Sequence, residues 1–171
     1  MPPPNRPPVK RTLAAIVGAT AAGLLLSAVP KFEGTVLVAA PDPVGVVTAC
    51  NGETQNVRLG QRFTLAQCAA RLDPRLADFA EGVDRCTPLA DRTPLQRVAI
   101  VDFAYNEGVS AYCGSSIAAN FRAGNVAAAC RSFNESAKGK PQWVYAGDHQ
   151  ALPGLVKRRA QERAWCEEKT Q

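Results

Sequence analysis

The feature that most constrains this chain is a run of 19 residues without a charge, Thr12 to Pro30, framed by Lys10-Arg11 and by Lys31-Phe32-Glu33-Gly34. As a single helix the run would reach roughly 28 Å, about one bilayer hydrocarbon core. Arg6, Lys10 and Arg11 oppose translocation of the N-terminal end. The expected arrangement therefore puts residues 1–11, a basic Pro-rich tail, in the cytoplasm and the rest of the chain outside. As an anchor the run is poor. Leu13, Ile16, Val17, Leu24, Leu25, Leu26 and Val29 supply roughly −2 to −4 kcal/mol of insertion free energy, before Gly, Thr, Ser and Pro subtract from it. As a cleaved signal it is also poor: a cut after Ala28 places Leu26 at −3, and a cut after Val29 places Val at −1 with Pro beyond it. We expect an uncleaved segment, 12–30, that inserts only marginally. Two stripes of small residues, Ala14-Gly18-Ala22 and Ala15-Ala19-Gly23, offer faces for packing on another helix or on a protein surface.

Beyond this segment about 140 residues remain, enough for one domain with a real core, 31–171. The formal charge of +5 is partly local. Taking Arg6, Lys10 and Arg11 from the 20 basic residues leaves 17 against 15 acidic ones, too mild a balance for a nucleic-acid partner. Six cysteines, Cys50, Cys68, Cys86, Cys113, Cys130 and Cys166, all follow the apolar run. An even set fits an oxidising compartment, and with no CxxC and one histidine, His149, no metal site is expected. Six cysteines allow 15 pairings. We expect the sequential one: Cys50–Cys68, Cys86–Cys113 and Cys130–Cys166.

The domain reads as α+β, a small β element followed by a helical body. "TVLVAAPDPVGVVTAC" has β-branched runs around a Pro-Asp-Pro turn and predicts a hairpin. "TLAQCAARLDPRLADFAEGVDRC" has helical spacing with Thr64 as N-cap, and "TPLQRVAIVDFAYNEG" starts on a Thr cap with Pro at N1 and stops at Gly108. "SSIAANFRAGNVAAACRSF" predicts two short helices broken near Gly124, and "LPGLVKRRAQERAWCEE" a last basic helix. "YAGDHQALPG" reads as a loop.

For chemistry, a Ser-His-Asp arrangement has only His149 to use, and no Gly-rich phosphate loop follows a strand. Carboxylates remain. Glu33 stands before Gly34 at the end of a short helix, Asp42 nine residues later in the hairpin turn, and Thr48 six further on, on the return strand. A hairpin can fold Asp42 and Thr48 back toward Glu33. Two carboxyl groups across a cleft are what glycosidic cleavage needs: one gives a proton to the leaving oxygen, the other activates water or steadies positive charge. The same spacing also fits surface carboxylates and a strand Thr.

The stretch "FEG…D…GVVTACNGET" resembles the active-site segment of the phage T4-type lysozymes, glycoside hydrolase family 24, with Gly34, Asp42, Gly45, Thr48 and Gly52 falling in place. "FAYNEG" is similar to that family's Phe-x-x-Asn-x-Gly helix end, and "LPGLVKRRAQER" to its Gly-Leu-x-x-Arg-Arg-x-x-Glu-Arg segment. With the cysteines and the apolar run, the chain resembles the signal-anchor-release endolysins of lambdoid phages. The resemblance implies a mainly helical lysozyme fold with a small hairpin lobe. It implies an N-acetylmuramidase that needs no cofactor, acting on peptidoglycan glycan strands, with an inverting outcome. It carries Glu33 as general acid, Asp42 as the carboxylate that positions or activates water, and Thr48 as its helper. It further implies a single span in the host inner membrane, later release to the periplasm as a monomer, and a holin as companion. Two departures stand out: Ala40 and Pro41 occupy places where the family often has Tyr, and the Gly-rich end reads Cys50-Asn51-Gly52-Glu53. Two alternatives stay open: a conventionally secreted lysozyme with a cleaved signal, and a non-catalytic wall-binding or lysis-accessory protein on the same scaffold.

Asn106 and Tyr105 are candidate sugar contacts, Asn106 also a helix-end residue that orders the fold. Arg158, Arg159 and Arg163 read as a solvated or salt-bridged helix face, with anionic wall polymers as the other use. Trp143 and Trp165 read as packing residues.

Overall fold

A computed structural model of the chain describes residues 10–147 and 150–168. Residues 1–9 of the expected tail and His149 lie outside the described residues.

The apolar run does not form one helix. Thr12 caps a short helix, α1 (Leu13–Val17), its hydroxyl accepting from the Ala15 N–H at 3.2 Å. Gly18, at φ +85°, stops α1 and opens α2 (Ala19–Glu33). That left-handed backbone favours glycine, which carries no Cβ to clash. Arg97 Nη1 donates to the Val17 carbonyl at 3.1 Å, satisfying an acceptor that the break leaves open. α2 runs through Pro30 and ends on Glu33, with Gly34 as C-cap at φ +72°. The helix that carries Glu33 is thus continuous with the apolar run, not a separate short one. Among the described residues no helix is long and apolar enough to cross a membrane.

The segment's bulky side chains point inward. Leu13, Val17, Leu25 and Val29 are fully buried and Ile16 nearly so, all within the main hydrophobic core. The small stripes, which could have served as packing faces, lie mostly outside. Ala14, Ala15, Ala19 and Gly23 are exposed, and only Ala22 is buried. A helix laid on a body removes most apolar area from water by turning its large residues inward; Ala21, Ala22 and Ala28 go with them, and the other alanines of the segment face outward.

The expected hairpin follows: β1 (Val36–Pro41) pairs antiparallel with β2 (Val47–Cys50), Ala40 opposite Thr48, with an irregularity in register between Val36 and Ala40. Ala39, Ala49, Cys50, Phe63 and Cys68 form its small core. α3 (Leu65–Asp84) links the two cores. It starts at a capping box of Thr64 and Gln67, places Cys68 in the hairpin core, and then sets Leu72, Leu76, Ala77, Ala80 and Val83 in the main one. After a 3₁₀ turn (Leu89–Asp91), α4 (Pro94–Glu107) starts on the predicted Thr93 cap with Pro94 at N1 and buries nine of its residues. It is the central helix, packed against α1, α2, α3 and the last helix.

α5 (Val109–Gly114) precedes the predicted pair, α6 (Ser116–Arg122) and α7 (Val126–Arg131), which breaks at Gly124 as expected. Where a loop was expected, β3 (Tyr145–Ala146) pairs with β4 (Gln150–Ala151) in a minimal second hairpin. α8 (Pro153–Cys166) closes the described chain. Disulfides join Cys50 to Cys68, Cys86 to Cys113 and Cys130 to Cys166, the sequential pairing. They tie the hairpin to α3, the end of α3 to α5, and α7 to α8. Trp143 packs edge-on to Phe103 and Trp165 edge-on to Phe32, as packing residues do. The architecture is the expected α+β one, mainly helical with a two-stranded lobe.

Candidate active site

Glu33 is the last residue of α2, and its backbone turn is held from the far side of the hairpin. Asn51 Nδ2 donates to the Gly34 carbonyl at 2.7 Å and to Thr35 Oγ1 at 3.0 Å, while the Asn51 carbonyl accepts from Tyr105 Oη at 2.5 Å. One buried asparagine thus joins the helix end, the hairpin and α4. Its place in "CNGE" reads as a turn from sequence alone, so the long-range role was not legible.

The Glu33 carboxylate faces α8. Arg158 Nη1 lies 2.5 Å from Glu33 Oε1, and Arg158 Nε and Nη2 reach Asp102 Oδ2 and Oδ1 at 3.0 and 2.9 Å. The Glu33 side chain keeps 24% exposure, whereas those of Arg158 and Asp102 keep 4% and 0%. Burial lowers the proton affinity of the Arg158 guanidinium, but the hydrogen bonds and charge of Asp102, with those of Glu33, more than offset this and set it above its ordinary value. Arg158 therefore carries its charge at any working pH.

Next to it, Arg159 Nη2 donates to Asn106 Oδ1 at 2.6 Å and lies 3.0 Å from Glu162 Oε1. Burial pulls Arg159 down and pushes the Glu162 carboxyl well above the usual carboxylate range, where Arg159 opposes the rise and Asp102 adds to it. Of the reading of Arg158 and Arg159 as a solvated or salt-bridged face, the salt bridges hold and the solvated face does not: both are buried, held by carboxylates of α2, α4 and α8. Arg163 is the salt-bridged surface member, paired with Glu135 and Glu167.

A cleft of about 620 Å³ opens above this network, with Glu33, Asn106, Leu152, Lys157 and Arg158 among its lining. Glu33 and Asn106 are thus brought together in one cleft. Tyr105 is not among the lining residues. Its ring is buried against Phe79, and burial pushes its hydroxyl up to about 12, with Glu33 and Glu53 adding to the rise and Arg75 opposing.

Asp42 and Thr48 sit on the hairpin. Asp42 Oδ1 accepts from the Val44 and Val46 N–H groups at 2.9 and 2.8 Å, which fixes the carboxylate in its own turn. Thr48 Oγ1 donates weakly to the Ala40 carbonyl at 3.5 Å. Asp42 and Thr48 therefore share the turn end of one hairpin, which leaves α2 directly after Glu33. Among the described residues neither forms a hydrogen bond or ion pair with Glu33. The cleft thus presents one carboxylate on a helix end over a fixed cation, and Asp42 and Thr48 are not among its lining residues. Asp102 escaped notice in the sequence, and Glu162 stood only as part of the matched Gly-Leu-x-x-Arg-Arg-x-x-Glu-Arg segment, with no role assigned. The i,i+4 spacing of Arg158 and Glu162 was a signal, but one that surface helices share.

Comparison with known proteins agrees with this fold. The chain is 30% identical over 167 residues to a SAR-endolysin of Enterobacteria phage PA-2, covering 94% of this chain and 96% of that one. The muramidase domain of SpmX from Asticaccaulis excentricus superposes with a TM-score of 0.74 at 26% identity, over 86% of this chain and 96% of that one. The active form of the P1 phage endolysin Lyz superposes with a TM-score of 0.71 at 25% identity, over 86% and 83% of the two chains. Residues 30–162 match the family described as Phage lysozyme. With the fold, the cleft and these likenesses in agreement, the chain belongs to the phage lysozyme family.

Proposed function

We propose that this protein is an endolysin that hydrolyses the β-1,4 bonds between N-acetylmuramic acid and N-acetylglucosamine in peptidoglycan and so lyses the host cell. In this reading Glu33 gives a proton to the leaving oxygen, Asp42 orders and activates the attacking water, and Thr48 helps to hold that water. The cleft then works by placing one carboxyl on each side of the scissile bond, so that acid and water act together. Asn106, at the cleft wall, meets the sugar. The observation that carries the reading is the position of Glu33, at the C-terminal end of α2, lining a cleft beside Asn106 and paired with the buried Arg158.

The N-terminal segment gives this enzyme a control. We infer that residues 12–30 first span the inner membrane as one weak helix, with the tail cytoplasmic, and later leave the bilayer for the periplasm intact. Burial of Leu13, Ile16, Val17, Leu25 and Val29 in the core supports it. Each such side chain is worth roughly 1.5–3 kcal/mol, so the five contribute on the order of 10 kcal/mol as an upper figure. Membrane insertion of the whole run offers only about −2 to −4 kcal/mol. Once the charged tail can cross, the fold wins. A tethered chain lacks this wall of its core and has no α2 to set Glu33 over Arg158. Cleavage near residue 28 would likewise remove Leu13, Ile16, Val17 and Leu25 from the core, which speaks against the secreted alternative.

The decisive chemical test is Glu33→Gln in the full chain. Gln is nearly isosteric but has no acid proton, so turnover of purified peptidoglycan should fall by about a thousandfold or more, at least roughly 4 kcal/mol in the barrier, with the melting temperature little changed. Asp42→Asn should be severe as well, and Thr48→Ala milder. Glu33→Gln activity within about tenfold of wild type would remove Glu33 from the acid role.

A further inference from the structure

Asp102 is fully buried on α4, the central helix, and does not line the cleft. It takes both Nε and Nη2 of Arg158 in a two-point pair. This fork geometry leaves one arm of the guanidinium, Nη1, and that arm meets Glu33 at 2.5 Å. Phe32, the residue before Glu33, lies under the same group, its ring centre 5.0 Å from Arg158 Cζ. Glu162, one turn on from Arg158, stands 3.7 Å from Nε, too far to take over the pair.

We propose that Asp102 is a positioning residue for the glycosidase reaction: by holding two arms of Arg158 it aims the third at Glu33 and fixes where that carboxyl stands in the cleft. The energetics favour this over a purely stabilising role. A buried ion pair repays its desolvation poorly, and an apolar replacement of similar size is often as stable. A buried arginine needs its partner, however, if its direction matters. Lysine in place of Arg158 would offer a point charge rather than a fork, and asparagine in place of Asp102 offers one acceptor oxygen and no charge. Glu162 supports the same picture from the other side. Its Oε1 lies 3.0 Å from Arg159 Nη2, so it pairs with the neighbouring arginine and leaves Arg158 to Asp102 and Glu33.

This proposal rests on the reading of Glu33 as the acid, and its test separates the two. Full-length wild type, Asp102→Asn, Arg158→Lys and the double variant are assayed on soluble peptidoglycan fragments. Asp102→Asn should lower kcat by about tenfold or more with KM within about threefold, because substrate binding is left in place. In the Arg158→Lys background the same change should cost less than about threefold, since its effect runs through the guanidinium. A wild-type kcat in Asp102→Asn, or effects that multiply independently in the double variant, would overturn the proposal while leaving Glu33 as acid. Failure of Glu33→Gln to lose activity would overturn the acid reading, and this proposal with it. Should Asp102→Asn not fold, the wild type still decides. The Arg158 Nε–H, read by nitrogen NMR, should exchange with solvent far more slowly than those of exposed arginines, and exchange at the exposed rate would refute the two-point pair.

Discussion

Two regions meet at Glu33, and they are held together by different physics. The body, through α4 and α8, fixes the underside of the cleft with buried charge: Asp102, Arg158, Arg159 and Glu162 on facing helices. The N-terminal segment up to Pro30, through α1 and most of α2, is held by apolar packing and by the Arg97 guanidinium at its Gly18 break. The body is specified for water alone. On the proposed function the segment has two solvents to satisfy, and its composition is then the compromise. Leu13, Ile16, Val17, Leu25 and Val29 complete the core, while Ala14, Ala15, Ala19 and Gly23 face outward and keep the segment from being a strong span. If the proposed anchor role holds, a weak anchor and an amphipathic core helix are one sequence here, because the bulky residues share a face.

The largest expected effect comes from breaking the packing side of this comparison. Leu25→Ala removes a fully buried side chain at the middle of α2. It should lower the stability of the folded enzyme by about 2–5 kcal/mol, seen as an earlier denaturation midpoint. Wall cleavage should fall in step with the folded fraction. An unchanged midpoint would mean that the segment is not part of the working core.

A smaller effect sharpens the outward face. Ala15, Ala19 and Gly23 are exposed, so replacing all three with Leu leaves the core untouched while strengthening the span. Each Leu adds roughly 0.5 kcal/mol or more of insertion free energy, which together shifts the membrane-to-released ratio by about tenfold or more. Fractionation should find the variant in the membrane, and lysis should be late. Release and lysis at the wild-type rate would refute the marginal-anchor account.

The smallest effect concerns the tail. Lys10 pairs with Asp78 at 3.1 Å and Arg11 with Asp84 at 3.8 Å, but Lys10 is 80% exposed and Asp78 59%. An exposed pair contributes about 0–1 kcal/mol, so Asp78→Asn should move the midpoint of the folded enzyme barely or not at all. A loss approaching that of Leu25→Ala would show that charge, not packing, docks the segment.

Much of this fold was legible because its signals are local. The Thr64 and Thr93 caps, Pro94 at N1, the Pro-Asp-Pro turn and the break at Gly124 each act within a few residues. Apart from the short β3–β4 hairpin, the features missed were those that depend on partners far along the chain. The split at Gly18 needs Arg97, 79 positions away from it, to receive the free carbonyl of Val17. The inward turn of the leucines needs the body they pack on. In the site, Glu33, Asp42 and Thr48 stood out by the resemblance of one contiguous stretch. Asp102 did not, because an Asp in the apolar run "VAIVDFAY" reads as an exposed polar position until Arg158, 56 residues on, is placed against it.

The central claim is that one intact segment first tethers the chain and then builds the wall of the core that sets Glu33 in place. The most direct test is the mass of the active soluble enzyme, taken from the periplasm after the membrane is de-energised. The account predicts a protein that still contains residues 12–30 and cleaves peptidoglycan. An active soluble form that begins near residue 29 would contradict it, because the enzyme would then work without Leu13, Ile16, Val17 and Leu25, which here line its core.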